Sequence, residues 1–184
     1  TIAVILPESD IELRWYSINL LNAIRQEAAR NAEYQHMGTT LVCAVARSDM
    51  AIIGNIGDSR AYHITPEGIF QISRDHSVVE NMVAKGDLTP LEARTHPNRN
   101  LITRALGPDI HAKADTFELP WHKDEFLLLC SDGLVNTVSD QEMLFEVLHD
   151  GDVNECLDHL LQISLQRGAP DNITAVLLLN EEGR

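Results

Sequence analysis

The stretch Phe126-Leu127-Leu128-Leu129-Cys130-Ser131-Asp132-Gly133-Leu134 decides the fold, because it joins an apolar run directly to an acidic turn. The apolar run Phe126–Cys130 is typical of a strand buried on both faces. Asp132 then lies where the chain leaves the sheet, and Gly133 permits a ligand to approach closely. A carboxylate on a rigid strand can bind a hard metal ion or act as a catalytic acid. Alternatively, Asp132 only caps the turn, since Asp-Gly is a common turn pair.

The composition describes a globular chain of 184 residues, 44% of them apolar, and this length fits a single domain. The net charge of −14 argues against nucleic acid or anionic membrane as the main partner, because both favour clustered Lys and Arg. No stretch approaches about 20 uninterrupted apolar residues, so no membrane span is predicted. Residues 1–6 are too short for the apolar region of a signal peptide, and the expected location is the cytoplasm.

The cysteines and histidines argue against a disulfide and against a zinc centre. Cys43, Cys130 and Cys156 are odd in number and form no C-x-x-C pair, which predicts reduced and buried thiols. The eight histidines show no H-x-x-x-H or similar ligand spacing.

The apolar periodicity predicts an α+β chain with a largely antiparallel sheet. A capping-box pattern at Ser9–Glu12 opens a long helix over about 10–33. Strands are predicted at 41–45, 50–56, 61–64, 69–72, 114–118, 126–130 and 173–179, with a turn at 119–121. Further helices are predicted at 77–85, after Thr89-Pro90, at 139–149 and at 153–166. Residues 74–108 interrupt the strands and are expected to be an insertion on the sheet.

Three aspartates stand beside small or turn residues at the edges of predicted strands, namely Asp58, Asp132 and Asp171. If those strands are neighbours, the carboxylates converge on one end of the sheet. Carboxylates without adjacent Lys or Arg suit Mg²⁺ or Mn²⁺. The chain has no Walker A motif, no G-x-S-x-G elbow, no kinase motifs and no G-x-G-x-x-G. The sequence therefore favours a metal site over a nucleophilic Ser or Cys.

Six segments occur in an order that is more specific than any one of them. They are Met37-Gly38-Thr39-Thr40, Gly57-Asp58-Ser59-Arg60-Ala61-Tyr62, Asp75-His76-Ser77, Ile102-Thr103-Arg104-Ala105-Leu106-Gly107, Leu128–Leu134 and Asp171-Asn172-Ile173-Thr174. Together they closely resemble the bacterial form of the metal-dependent Ser/Thr protein phosphatases of type 2C, the PPM family. The resemblance runs from about residue 38 to 179, and the helix over 10–33 fits the family's first long helix.

The resemblance implies a four-layer α-β-β-α sandwich, in which helices flank two antiparallel sheets, as a single domain over 1–184. It implies a centre of Mn²⁺ or Mg²⁺, with two to three ions in the complete domain, that activates a water to hydrolyse phosphoserine or phosphothreonine. Asp132 and Asp171 match its metal ligands, and Asp58 matches the position that helps hold a looser third ion. Residues of about 74–108 match the flap beside the site. The implied partners are phosphorylated proteins and, with them, a Ser/Thr kinase; no catalytic residue is implied beyond the metal ligands.

One departure from the family pattern concerns the region before the first helix. The family carries there an Asp-Gly-x-Gly-Gly segment that bridges two metals and, further upstream, an Arg that binds phosphate. Neither occurs in this chain, so N-terminal strands are expected to be absent and the isolated chain inactive or weakly active. We interpret the chain as a truncated form of the domain. The alternative is a natural loss that leaves a non-catalytic binding or regulatory module.

Overall fold

The computed structural model of the chain describes residues 2–6, 23, 26–27, 30, 37–107, 113–149 and 152–182. The strands in this part are β1 (Ile2–Leu6), β2 (Leu41–Ala46), β3 (Met50–Ile56), β4 (Arg60–Thr65), β5 (Gly68–Gln71), β6 (Asp115–Pro120), β7 (Phe126–Cys130) and β8 (Ala175–Leu179). The helices are α1 (Val78–Lys85), α2 (Pro90–Thr95), α3 (Asp132–Val135), α4 (Asp140–His149) and α5 (Val153–Gln166).

The strands form two four-stranded sheets that pack face to face. Their orders are β1-β2-β3-β6 and β5-β4-β7-β8. One apolar core lies between them, where Val42 and Ile53 of the first sheet share a cluster with Leu127 and Leu129 of the second. Every described pair of neighbouring strands is antiparallel except β1 and β2. This arrangement confirms the predicted fold class of two antiparallel sheets flanked by helices.

Strand β7 is buried on both of its faces, as its uninterrupted apolar sequence predicts. Leu127 and Leu129 face the sheet–sheet core, whereas Leu128 and Cys130 face a second core that helices α4 and α5 close. All four residues from Leu127 to Cys130 are inaccessible to solvent. Apolar area removed from water on both faces stabilises the fold by about 25 cal/mol per Å². The strand is therefore a rigid base for the turn that follows it.

Local sequence signals determine where the helices begin and end. Ser77 caps α1, and Gly86 ends it in the left-handed conformation at φ +81°. Thr89 forms a capping box with Glu92 at the start of α2, and Ser139 and Glu142 exchange the same bonds at the start of α4. These boundaries confirm the predictions. The long helix over 10–33 lies mostly outside the described residues, although residues 23, 26, 27 and 30 are helical.

The structure corrects the expectation that N-terminal strands are absent, because Ile2–Leu6 form β1 alongside β2 in parallel register. The run Ile-Ala-Val-Ile-Leu is rich in residues that favour strands, and pairing it requires a partner some 40 positions away. The predicted turn at 119–121 is also wrong for its first two residues. Leu119 packs into the core, and Pro120 is accommodated because β6 is an edge strand.

Two further predictions concern the cysteines and the membrane. Cys43, Cys130 and Cys156 are buried and form no disulfide with one another, as expected. Burial raises the pKa of the Cys43 thiol to about 11, which keeps it protonated and unreactive. Among the residues that the structure describes, no helix combines the length and the apolar character that a membrane span requires.

Residues 74–107 are less buried than the sheets to which they are attached. Helix α2 contains no buried residue, and Leu91, Leu101 and Ile102 expose 76%, 52% and 41% of their surface. The two arms of the segment pair with each other where Ser77 bridges Ile102, and its second arm is attached outside the segment where Thr39 bridges Leu106. The middle of the segment, which includes α2, therefore has little apolar packing to stabilise it.

We expect the amides of α2 to exchange with solvent deuterium faster than those of α4. Both helices begin with a capping box, but only α4 buries side chains, Met143 and Val147. Elements with little buried apolar surface open at a low free-energy cost. Hydrogen–deuterium exchange read by mass spectrometry makes the comparison within one sample. Equal protection of the two helices, or of α2 and β7, would contradict this view of residues 74–107.

Candidate metal centre

The strand register places Asp58, Asp132 and Asp171 at one end of the β5-β4-β7-β8 sheet. Arg60 lies opposite Cys130, which in turn lies opposite Ala175. Asp58 precedes Arg60 by two residues, Asp132 follows Cys130 by two, and Asp171 precedes Ala175 by four. All three aspartates therefore lie just beyond the same end of three adjacent strands. Their assignment as metal ligands remains a prediction.

The aspartates interact electrostatically. Burial, and then the charge of Asp132, raises the pKa of Asp58 to about 6. Burial, and then the charge of Asp171, likewise raises the pKa of Asp132. Mutual repulsion of ionised carboxylates destabilises the charged form of each one, and a bound cation would offset it. Hard carboxylate oxygens are also the ligands that Mg²⁺ and Mn²⁺ prefer, so this set of donors fits such an ion.

The described residues offer an incomplete set of ligands. In the part of the chain that the structure describes, no three Asp, Glu, His or Cys side chains are grouped closely enough to hold a metal ion. Asp58, Asp132 and Asp171 are all described, so they share one end of the sheet but do not by themselves form such a group.

Backbone contacts fix Asp132 relative to Asp171. Asp132 begins the short helix α3, and a Cβ atom on Gly133 would overlap the carbonyl oxygen of Asn172. Ser131 Oγ donates a hydrogen bond to Asn172 O at 3.2 Å and accepts one from the Thr174 amide at 3.0 Å. The Ser-Asp-Gly and Asp-Asn-Ile-Thr segments therefore pack as one unit, in which only glycine fits after Asp132.

Asp58 lies on a turn that is held by the segment before β2. Gly57 has φ +110°, and a Cβ atom there would overlap the Thr40 side chain. Thr40 and Ser59 also share a hydrogen bond of 2.9 Å between their hydroxyl oxygens. These contacts give Thr40 a structural role, since it holds the turn that carries Asp58.

Two interactions near the candidate centre were not predicted from the sequence. Arg60 donates from Nε and Nη2 to the Asp75 carboxylate, with its shortest contact at 2.7 Å. The His76 ring lies between the Gly57 amide and the Asp115 carboxylate. The only sequence signal for these two interactions was that Asp75 and His76 are adjacent in one motif. That signal does not identify their partners, which lie 15 to 39 positions away.

Comparisons with known proteins establish the class of protein that this fold and site define. The family model described as Protein phosphatase 2C matches residues 6–177, and the chain belongs to this family. Its relatives include the serine/threonine phosphatase stp of Listeria monocytogenes, 36% identical over 151 residues. That match covers 80% of this chain and 60% of the relative, so the chain spans about three fifths of the relative's length.

Other comparisons agree on the fold. Protein phosphatase PhpP of Streptococcus pneumoniae is 33% identical over 91% of this chain and 70% of its own length. The crystal structure of serine/threonine phosphatase Stp1 from Staphylococcus aureus superposes with a TM-score of 0.87 at 39% identity, covering 94% of this chain and 70% of that one. The catalytic domain of the phosphatase PstP, crystallised with two manganese ions, matches with a TM-score of 0.80 at 30% identity, over 92% of this chain and 72% of that one.

Removing the Asp58 charge should stabilise the metal-free chain at neutral pH. The folded pKa of about 6 lies above the ordinary value of 3.8, so ionising Asp58 opposes folding. This cost is absent below about pH 4, builds up as pH rises to about 6, and is complete above it. In EDTA, Asp58→Asn should raise Tm at pH 7.5 and raise it less at pH 5.

The control is Asp158→Asn, which removes an exposed charge from α5 and should give a Tm change that is small at both pH values. A lower Tm for Asp58→Asn at pH 7.5, or a gain that does not depend on pH, would contradict the proposed electrostatics.

Proposed function

We propose that this chain provides most of the catalytic domain of a Mn²⁺- or Mg²⁺-dependent phosphatase that hydrolyses phosphoserine and phosphothreonine in proteins. The observation that carries the proposal is the shared position of Asp58, Asp132 and Asp171 beyond one end of the β5-β4-β7-β8 sheet. Membership of the protein phosphatase 2C family and relatives named as Ser/Thr phosphatases support it.

In this proposal Asp132 and Asp171 are the principal metal ligands, and Asp58 helps to hold a further, looser ion. The neighbouring PstP structure, which contains two manganese ions, supports a centre of two ions. Divalent ions held by these aspartates would supply an activated water as the nucleophile and would stabilise negative charge that develops on the phosphate. The described part of this chain contributes rigidity: β7 and the Ser131–Asn172 contact hold Asp132 and Asp171 in place.

We also propose that residues of about 74–108 form a flap at the rim of the centre. Its first residues contact the turn of Asp58, because Asp75 binds Arg60 and His76 binds Gly57. The exposed Leu91, Leu101 and Ile102 give the flap apolar surface that a protein substrate could contact. The proposed substrates are cytoplasmic proteins phosphorylated by a Ser/Thr kinase.

Phosphate release from a phosphothreonine peptide tests the function. The samples are this 184-residue chain and the whole product of its gene, each with Mn²⁺, with Mg²⁺ and with EDTA. We expect the gene product to turn over only with metal, and Asp132→Asn to lower its rate by at least about a hundredfold, since about 1.36 kcal/mol of lost transition-state stabilisation costs tenfold. This chain, which spans about three fifths of the length of the stp relative, should be much slower. Asp158→Asn is the matched control and should retain the rate.

Two results would contradict the proposal. Turnover that persists in EDTA or in Asp132→Asn would show that the carboxylates are not metal ligands in the reaction. Phosphopeptide binding by the gene product without any hydrolysis would support the alternative of a non-catalytic binding module.

A further inference from the structure

His76 forms hydrogen bonds to both backbone groups of Gly57. The His76 amide donates to Gly57 O at 2.8 Å, and the Gly57 amide donates to His76 Nδ1 at 3.0 Å. The Asn55 side chain adds a longer contact of 3.4 Å from Nδ2 to Gly57 O. Gly57 is buried, and the next residue is Asp58. One residue therefore satisfies both backbone groups of the glycine that introduces a candidate ligand.

The Gly57 amide determines which nitrogen of the His76 ring carries the proton. A backbone amide can only donate, so Nδ1 must accept and the proton of the neutral ring lies on Nε2. Nε2 then donates to Asp115 Oδ2 at 2.9 Å, and the other oxygen of Asp115 accepts from Arg104 Nη1 at 2.7 Å. His76 is 7% exposed, so little water competes for these bonds.

Asp115 remains a charged acceptor in this chain of bonds. Partial burial raises its pKa, but the hydrogen bonds from His76 and Arg104 outweigh that effect and leave the pKa below its ordinary value. The bonds run from Arg104 through Asp115 and the ring to Gly57. They connect the second half of the proposed flap with the turn that carries Asp58.

The turn depends on this support because the backbone groups of Gly57 are buried and need hydrogen-bond partners. Gly57 has φ +110° and no room for a side chain. If the ring acceptor were removed, the Gly57 amide would be buried without the partner shown here and would keep its full desolvation penalty. Nearby, Asn55 Oδ1 is already a buried atom without a hydrogen-bond partner among the described residues. A second unsatisfied group would favour rearrangement of the turn and displacement of Asp58.

We propose that His76, as its Nε2-protonated tautomer, is a positioning residue that fixes Asp58 at the metal centre, and that Asp115 and Arg104 orient its ring. The inference rests on the proposed function, because it assigns a metal to Asp58. Partners that orient metal ligands typically contribute 10–100-fold to metal affinity. His76 does not itself contact metal or substrate in this account.

The test compares two substitutions that each keep one of the two hydrogen-bonding functions of the imidazole ring. Asn at position 76 places its oxygen near the site of Nδ1 and can still accept from Gly57. Gln places its nitrogen near the site of Nε2 and keeps only the donor to Asp115. Mn²⁺ binding to this chain is measured by electron paramagnetic resonance of the free ion. We expect His76→Asn to stay within about threefold of the parent and His76→Gln to bind about tenfold more weakly.

Two readouts separate positioning from a general loss of structure. Long-range ¹H–¹⁵N NMR of the metal-free parent should show the proton of His76 on Nε2, and this measurement requires no activity. Thermal unfolding should show one cooperative transition for each variant, with a modestly lower Tm for His76→Gln because it leaves the buried Gly57 amide without its acceptor. If His76→Gln does not fold, Asp115→Ala replaces it, since the Asp115 side chain is 41% exposed and its loss should be tolerated. It should weaken Mn²⁺ binding by several-fold.

The outcomes distinguish this inference from the proposed function. If the parent binds Mn²⁺ but His76→Asn and His76→Gln differ from it equally, or not at all, positioning by His76 is wrong and the metal centre stands. A proton on Nδ1 in the parent would also overturn the inference. If the parent does not bind Mn²⁺ and Asp132→Asn changes nothing, the proposed function fails, and the inference fails with it.

Discussion

Burial of β7 between two apolar cores is the constraint on which the rest of the structure depends. Leu127 and Leu129 pack against the first sheet, and Leu128 and Cys130 pack against α4 and α5. A strand fixed on both faces cannot shift its register without moving every side chain to the wrong core. Its two neighbours are therefore fixed as well. The positions of Asp58, Asp132 and Asp171 follow from the ends of those three strands.

That rigidity carries a cost in charge repulsion. Burial, and then repulsion between carboxylates at one end of the sheet, raises the pKa of Asp58 and of Asp132, and flexible loops would let the carboxylates separate. The turns prevent separation. Gly133 packs against Asn172, Gly57 packs against Thr40, and His76 satisfies the Gly57 backbone. Carboxylates that repel one another while their turns are fixed would favour a cation, since binding would then cost little reorganisation of those turns.

Much of the fold was predictable because its signals are local. The apolar run of β7, the capping residues Ser77, Thr89 and Ser139, and the hairpin of β2 and β3 are each encoded within a few residues. Strand β1 was missed because its parallel partner lies far along the chain. The aspartates could be identified as candidates from their turns, but their common end required the register of three strands. His76 and Asp115 are 39 positions apart, and no spacing rule joins them.

The most direct measurement of the central claim is the broadening of backbone amide signals of this chain by substoichiometric Mn²⁺ in ¹H–¹⁵N NMR. A bound Mn²⁺ ion broadens nearby nuclei most. The account predicts that the amides of Asp58, Asp132 and Asp171 broaden first, that the far ends of the same strands near Ile64 and Leu179 stay sharp, and that excess Mg²⁺ reverses the effect. Broadening centred on an exposed acidic helix such as α5, or spread evenly over the acidic surface, would contradict the assignment of these three aspartates to a metal centre.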